Sequence, residues 1–492
     1  MTANLKNEVI DQKHFDSEAA NERTVEVARF ENGDIPALDP VEEGKLLRKL
    51  DTYVISILGI LYLLSFLDRS NIGNANVAGM SVDLGLVGNQ FGTCVSIVYA
   101  TYVTFEPVYA NLLKIITPKI LLSISTFFWG CLTIATAWAT NYHGLVAIRI
   151  LLGATEAGLF PCVNMYLLMT YRREEIGRRL SFIYVCAALS GAFGGLLAYG
   201  LTQIHSSKLA GWQILYIVEG CVSTAFAPVA YFLVPNRVDE SWFLNAKEKD
   251  MCRTRLQINR RFYNPDEHFD WKQVKRALAD WKTWCHGVNQ FLIDITLYAF
   301  TTFMPTIIKG LGYSSYYAQL MTVPVYVVAA ISFLIFGHFS DKYKMRSPFI
   351  VLACLFIIVG YVILLAVPKV GARYFGLYLV AVGLYPTTAL NLAWCSGNAA
   401  GHFKRATASG TMQLIGNCAG AAIGYIFNSQ TAPRYFKGLY VAVGATVLSI
   451  ILTIVQALMI KRENERRAKI VAAGAQDLPE LGDDNVHWTY FL

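Results

Sequence analysis

Twelve predominantly apolar stretches of about 20 or more residues run through this chain, at 51–76, 87–112, 119–139, 143–169, 180–204, 212–234, 284–309, 317–340, 348–368, 373–396, 406–428 and 438–460. A helix of that length crosses the hydrocarbon layer of a bilayer, and backbone polar groups in lipid must be satisfied internally. The chain therefore reads as an all-α membrane protein with 12 transmembrane helices whose solvent is the lipid bilayer. A transmembrane barrel would need alternating segments of ~10 residues, a pattern these continuous runs lack. Composition agrees: 54% of the 492 residues are hydrophobic and 16% charged, where a soluble domain carries about a quarter charged.

The net charge of +7 would suggest a nucleic-acid partner on a soluble chain, but here position decides. In short loops Lys114, Lys119, Arg172, Arg173, Arg178, Arg179, Lys342, Lys344, Arg346, Lys404 and Arg405 all fall on one side, 11 against 6 on the other. That asymmetry is the positive-inside pattern. It predicts cytoplasmic termini for a multi-pass protein, placed in the plasma membrane with an internal membrane as the alternative, and no nucleic-acid partner. Ten cysteines lie mostly within apolar spans without a C-x-x-C pair, so neither zinc nor a disulfide framework is indicated and no cofactor is expected.

Residues 1–49 are polar and read as a disordered cytoplasmic tail. A six-helix bundle follows at 50–234, then a polar linker at 235–283, a second six-helix bundle at 284–460 and a tail at 461–492. The halves echo each other. Arg178-Arg179-Leu180-Ser181 precedes a glycine-rich helix (Gly191, Gly194, Gly195), as Lys404-Arg405-Ala406-Thr407 precedes another (Gly416, Gly420, Gly424). Small residues four apart let helices approach closely, and packing within a monomer is the expected use.

A charge in the middle of a membrane helix costs ~2.5–3.5 kcal/mol on the lenient insertion scale, so each marks a candidate site. Seven stand out: Asp68, Arg69, Glu106, Arg149, Glu156, Glu219 and Asp294. Arg149 and Glu156, two turns apart, share one face of the fourth helix. The arginine can hold a carboxylate bidentately, and a glutamate kept from water can take and release a proton. Together they suit proton-coupled uptake of a small organic anion. Arg69 is a second anion ligand, Asp68 and Asp294 are further proton-coupling candidates, and Glu106 beside Pro107 reads as gating or structural. Tyr298, Asn391, Trp394 and Asn398 offer aromatic and amide contacts for a flat ring bearing an acid. Asp341 and Arg346, in the tight turn after the eighth helix, are read as a gate element that meets arginines across the inner face.

Asp68-Arg69-Ser70-Asn71-Ile72-Gly73, the R-x-x-x-G-x-x-E-A-G-x-x-P run from Arg149 to Pro161, and Gly401-His402-Phe403-Lys404-Arg405 resemble the anion:cation symporter branch of the major facilitator superfamily, the allantoate permease family. Ala318-Gln319-Leu320-Met321-Thr322-Val323-Pro324 and Lys461-Arg462-Glu463-Asn464 are most similar to fungal nicotinic acid permeases. The resemblance covers residues 45–465 and implies the major facilitator fold, with a site between the halves near the midplane. It implies that Arg69, Arg149 and Glu156 match the arginines and glutamate used by vesicular glutamate and phosphate carriers, with Asn71 beside them as a substrate contact. The seventh-helix arginine of those carriers has no match, Ile293 and Asp294 standing there, which favours a monocarboxylate. Nicotinate is the first expectation, ahead of pantothenate, allantoate or quinolinate. A nutrient sensor that binds without transport is the competing class. No catalytic motif such as H-E-x-x-H or G-x-S-x-G is present, so an enzyme is not expected.

Overall fold

The computed structural model describes residues 38–113, 116–204, 207–262, 271–400, 402–427, 434–477 and 479–492. Expectations for residues 1–37, Lys114 and Gly401 lie outside these. Among the described residues there is no strand. Twelve helices of membrane length occur: α1 (Ser56–Val77), α2 (Gln90–Leu112), α3 (Pro118–Thr136), α4 (Tyr142–Glu156, continued by Leu159–Thr170), α5 (Arg173–Leu201), α6 (Gly211–Leu233), α7 (Trp281–Lys309), α8 (Thr322–Tyr343), α9 (Ser347–Ala366), α10 (Val370–Gly397), α11 (His402–Ile426) and α12 (Phe436–Ala472).

Local chemistry sets several of the boundaries. Asn141 caps α4 by accepting the Gly144 N–H at 2.8 Å, and Asp280 caps α7 by accepting the Lys282 N–H at 3.0 Å, each satisfying a donor that a helix start leaves orphaned. Lys344 ends α8 in the left-handed region at φ 54°.

Ten helices qualify as apolar spans by composition; α2 and α11 do not. Their polarity has a packing cause. The two run against each other along the seam between the halves. Gly92 and Gly424 lie so close that a Cβ on either would overlap the other's carbonyl, and Gly420 rests on the Tyr99 ring. The Gly424 N–H also donates to Ser96 Oγ at 3.1 Å. Small residues are what such an approach demands.

Packing repeats between the halves: α3 lies on α6 as α9 lies on α12, α1 on α5 as α7 on α11, and α2 on α4 as α8 on α10. Asp51–Asn236 and Asp266–Leu492 form one compact unit, so both six-helix sets belong to one body. Across its seam α1 meets α7, α2 meets α11, and α5 meets α8. Gly73 sits under the Thr302 carbonyl, Gly191 on the Tyr326 ring and Gly195 against Thr322. The glycine runs thus serve packing within the chain, as the sequence suggested. Gln319 Nε2 donates to the Asn74 carbonyl at 3.2 Å, Thr202 Oγ1 to Gln319 Oε1 at 3.1 Å, and Lys309 Nζ to the Val77 carbonyl at 3.1 Å. These contacts draw the halves together at the end of the bundle opposite the basic loops.

The second compact unit comprises residues before Asp51 with the segment that starts at Arg237. Its helix Pro40–Leu50 shows that the disorder expected of residues 1–49 does not extend to residues 40–49. Lys49 pairs with Glu248 at 2.8 Å and Lys247 with Glu42 at 2.6 Å; Arg255 pairs with Glu43. The Lys49 hydrogen bond, with one from the Asn245 N–H, holds the Glu248 carboxyl below its ordinary value. Its contribution is present at neutral pH and is lost as pH falls through that lowered value. Burial pushes the Cys252 thiol up to about 12, which leaves little thiolate for chemistry.

The segment after α12 is ordered against the bundle rather than a free tail. Arg467 donates to the carbonyls of Asp483, Asn485 and Trp488 at 2.8, 3.0 and 3.1 Å. Asn464 exchanges two hydrogen bonds with the Tyr490 backbone, at 2.9 and 3.0 Å.

Candidate functional site

Two small adjoining cavities lie on the seam at mid-bundle. Arg69, Phe66 and Tyr298 border both. The wall is aromatic on nearly every side: Tyr62 and Phe66 from α1, Tyr102 from α2, Tyr184 from α5 and Tyr298 from α7 line the larger one. The remaining wall is polar, with Gln290 and Asp294 from α7, and Gln413 and Asn417 from α11. A few converging polar groups in an aromatic chamber are the usual make-up of a small-molecule site.

Arg69 is the cation of this chamber. Its guanidinium lies 4.4 Å from the Tyr102 ring centroid and 5.2 Å from that of Phe66, a placement that stabilises a desolvated cation. Its Nε donates to Glu156 Oε1 at 2.8 Å, and the Ser65 hydroxyl donates to the same oxygen. Ser65 and Arg69 are one turn apart on α1, so both meet the glutamate from a single face. The second glutamate oxygen, Oε2, is buried without a protein partner. Glu156 ends the first part of α4, where the helix breaks at Ala157-Gly158.

Arg149 departs from expectation. It is 1% exposed, donates to the Tyr216 hydroxyl on α6 at 2.6 Å, and lines neither cavity. Seven residues return a helix to the same face but advance it by about 10 Å. Glu156 therefore meets α1 while Arg149 meets α6. Asp68 also turns away, accepting from Ser223 on α6 at 3.0 Å. Asn71 is fully buried with no hydrogen-bond partner for its amide and lines neither cavity. Glu219 is buried with both carboxyl oxygens unpartnered.

On the other half Tyr298 and Asp294 stand where expected, on the cavity wall. Tyr298 donates to Asn417 Oδ1 at 2.6 Å, and Asn417 Nδ2 donates to Glu106 Oε2 at 3.3 Å. Glu106 thereby joins the chamber through Asn417 and ties α2 to α11. Gln290 Nε2 donates to Asp294 Oδ1 at 2.9 Å. Asn391 lies behind this pair, bonded to Gln290 at 2.9 Å.

Trp394 and Asn398, expected as substrate contacts, line neither cavity. Trp394 Nε1 donates to the Phe491 carbonyl at 2.9 Å, as does Asn398 Nδ2 at 2.9 Å, and Asn398 Oδ1 accepts the Phe491 N–H at 2.7 Å. Both anchor the segment after α12. Asp341 pairs at 2.6 Å with Arg346, five residues on in the same half, instead of reaching an arginine across the face; Arg346 also donates to Ser340 Oγ at 2.7 Å. Sequence reasoning missed Ser65, Tyr102, Gln413 and Asn417. Their signal was polarity within an apolar helix, which was weighed for uncharged groups on α7 and α10 but not on α2 and α11.

The chain matches the model of the Major Facilitator Superfamily over residues 58–425. It is 44% identical over 469 residues to the high-affinity nicotinic acid transporter of Saccharomyces cerevisiae, covering 95% of this chain and 87% of that one. A major facilitator-type transporter of Emericella nidulans is 31% identical over 468 residues, with 92% and 94% covered. In fold the chain is similar to a D-xylose–proton symporter, at TM-score 0.62 and 12% identity over 82% of this chain and 97% of that one. A bacterial homologue of the human lysosomal transporter Spinster, captured inward-facing and unoccupied, gives 0.63 at 14% identity, over 82% and 95%. The relatives are transporters rather than enzymes, the twelve helices repeat as two sets of six around one chamber, and the chain belongs to the major facilitator superfamily as a multi-pass membrane transporter.

Proposed function

We propose that this protein imports a small aromatic monocarboxylate, nicotinate first, in symport with a proton. The single observation that carries the reading is Arg69: among the described residues the one guanidinium on the chamber wall, stacked on aromatic rings and engaged by Glu156. A substrate carboxylate competes with Glu156 for that guanidinium. Protonating Glu156 removes the competitor, so proton and anion bind together, which is the coupling symport needs. The tyrosines suit the faces of a flat ring, and a single cation suits a single carboxylate. The relative of known activity at 44% identity supports nicotinate over other organic acids.

The basic loops then face the cytoplasm, and the close contacts between the halves seal the outer end. The proposed location is the plasma membrane, and the proposed working form a monomer, since the glycine runs are already used within the chain.

The test is competition. Excess unlabelled nicotinate should abolish uptake of labelled nicotinate, while nicotinamide should compete poorly, because a neutral ligand leaves a buried guanidinium without its anion at a cost of about 1–3 kcal/mol. Quinolinate, whose second carboxylate meets Asp294 rather than a cation, should compete weakly. Nicotinamide competing as well as nicotinate would remove the carboxylate anchor. Pantothenate or allantoate as the sole effective competitor would replace the substrate and leave the coupling scheme intact. Saturable binding without movement would make the chain a sensor.

A further inference from the structure

A line of buried side chains leads from the chamber into the core of the second half, and its hydrogen bonds all point one way. Gln456 Nε2 on α12 lies 2.7 Å from His286 Nε2 on α7. His286 Nδ1 lies 2.8 Å from Asn391 Oδ1 on α10. Asn391 Nδ2 donates to Gln290 Oε1 at 2.9 Å, and Gln290 Nε2 donates to Asp294 Oδ1 at 2.9 Å. All five side chains are buried, at 3% exposure or less. Asn391 Nδ2 also donates to the His286 backbone carbonyl at 3.2 Å, which turns Asn391 Oδ1 toward the imidazole; the ring therefore carries its proton on Nδ1, donates it to Asn391 and accepts from the Gln456 amide at Nε2. Each group then fixes the rotation of the next. An amide that is not held can turn its oxygen toward its neighbour as readily as its nitrogen. Here Asn391 holds the oxygen of Gln290, so the nitrogen must face Asp294.

We propose that His286 is a positioning residue for proton coupling: through Asn391 and Gln290 it keeps an N–H donor, and not a carbonyl, aimed at the Asp294 carboxyl in the chamber. The proposal rests on the reading of Asp294 as a proton-binding group. A fixed donor favours the carboxylate over the carboxylic acid, whereas a turned amide would accept a hydrogen bond from the acid. The line therefore sets the pH at which Asp294 changes charge without itself touching substrate. No proton needs to travel along it, since amides relay protons poorly.

The other titratable or charged groups facing Asp294 are Arg69 and Tyr62 from α1, Tyr99 and Tyr102 from α2, Tyr184 from α5 and Tyr298 from its own helix. Around His286 the charged neighbours are Lys282 and Asp280; Trp394 packs edge-on at 5.0 Å and supplies no charge.

The experiment is the melting temperature of the purified full chain as a function of pH, which needs no knowledge of the substrate. Subtracting the Asp294→Asn curve isolates the Asp294 titration. His286→Leu and Asn391→Leu should each move its midpoint upward by about one pH unit, equivalent to a tenfold change in proton affinity. His286→Gln, which keeps a donor and an acceptor, should restore it, and His286→Leu should add no pH-dependent change in the Asp294→Asn background. An Asp294→Asn curve parallel to that of the unsubstituted chain would overturn the reading of Asp294 itself. A clear Asp294 titration left unmoved by His286→Leu, or a shift that persists in Asp294→Asn, would overturn the positioning role alone.

Discussion

Arg69 and Glu156 make opposite demands on a variant. Arg69→Ala removes the anchor and should abolish saturable uptake. Glu156→Gln mimics a permanently protonated acid; it should still exchange labelled for unlabelled nicotinate across the membrane yet lose pH-driven accumulation at least about tenfold, the factor of 1.36 kcal/mol. Exchange and accumulation falling together would make the pair merely structural. Arg149 should behave differently. Arg149→Met deprives the buried Tyr216 hydroxyl of its partner, an expected loss of about 1–3 kcal/mol. That loss should appear as a lower melting temperature with an unchanged KM in the folded fraction; a raised KM at full stability would return Arg149 to the site. The charges were legible in the sequence because each is costly in an apolar helix. Their pairing was not, because a seven-residue spacing fixes a face and says nothing of which neighbouring helix stands at each level.

At the scale of elements the sequence was read best where the pattern was longest. All twelve spans were legible, and so were the glycine-rich faces of α5 and α11. The segment after α12 was not, because Trp394 and Asn398 meet a backbone more than 90 residues downstream and the aromatic stretch Trp488 to Leu492 is too short to carry a helical or strand period. Removing the anchors with Trp394→Phe and Asn398→Leu breaks three hydrogen bonds, each worth about 0.5–1.5 kcal/mol. The expected result is faster proteolysis of this segment with KM changed by less than about twofold; a loss of affinity without loosening would place these residues in the chamber after all. The glycine seam carries its own prediction. Gly424→Val inserts a side chain where Gly92 leaves no room, so the outer end should fail to close. Substrate should still bind from outside, transport should drop, and a cysteine placed at Ser96 should gain access to an impermeant thiol reagent. A cysteine that stays protected would show that the seam closes by other contacts.

The larger compact unit is two sets of six helices in one body, in which matching pairs pack alike, with a chamber on their seam bordered by both sets. That duplication was visible in the sequence only as two basic-then-glycine motifs; the packing makes it plain. A seam held together at one end by glycine contacts and amide hydrogen bonds is suited to rocking, because small packed interfaces have discrete arrangements instead of a continuum. In the proposed scheme the substrate anion binds Arg69 in one half and Asp294 answers from the other, so occupancy and proton binding bear on both halves at once. The most direct test of this scheme is accumulation in proteoliposomes containing only the purified chain, with the outside at about pH 5 and the inside at about pH 7.5 to supply the proton gradient. Proton symport predicts that labelled nicotinate enters saturably and at early times exceeds the level in protein-free liposomes under the same gradient, an excess that a protonophore removes. Saturable entry whose excess is the same with or without the protonophore would contradict it.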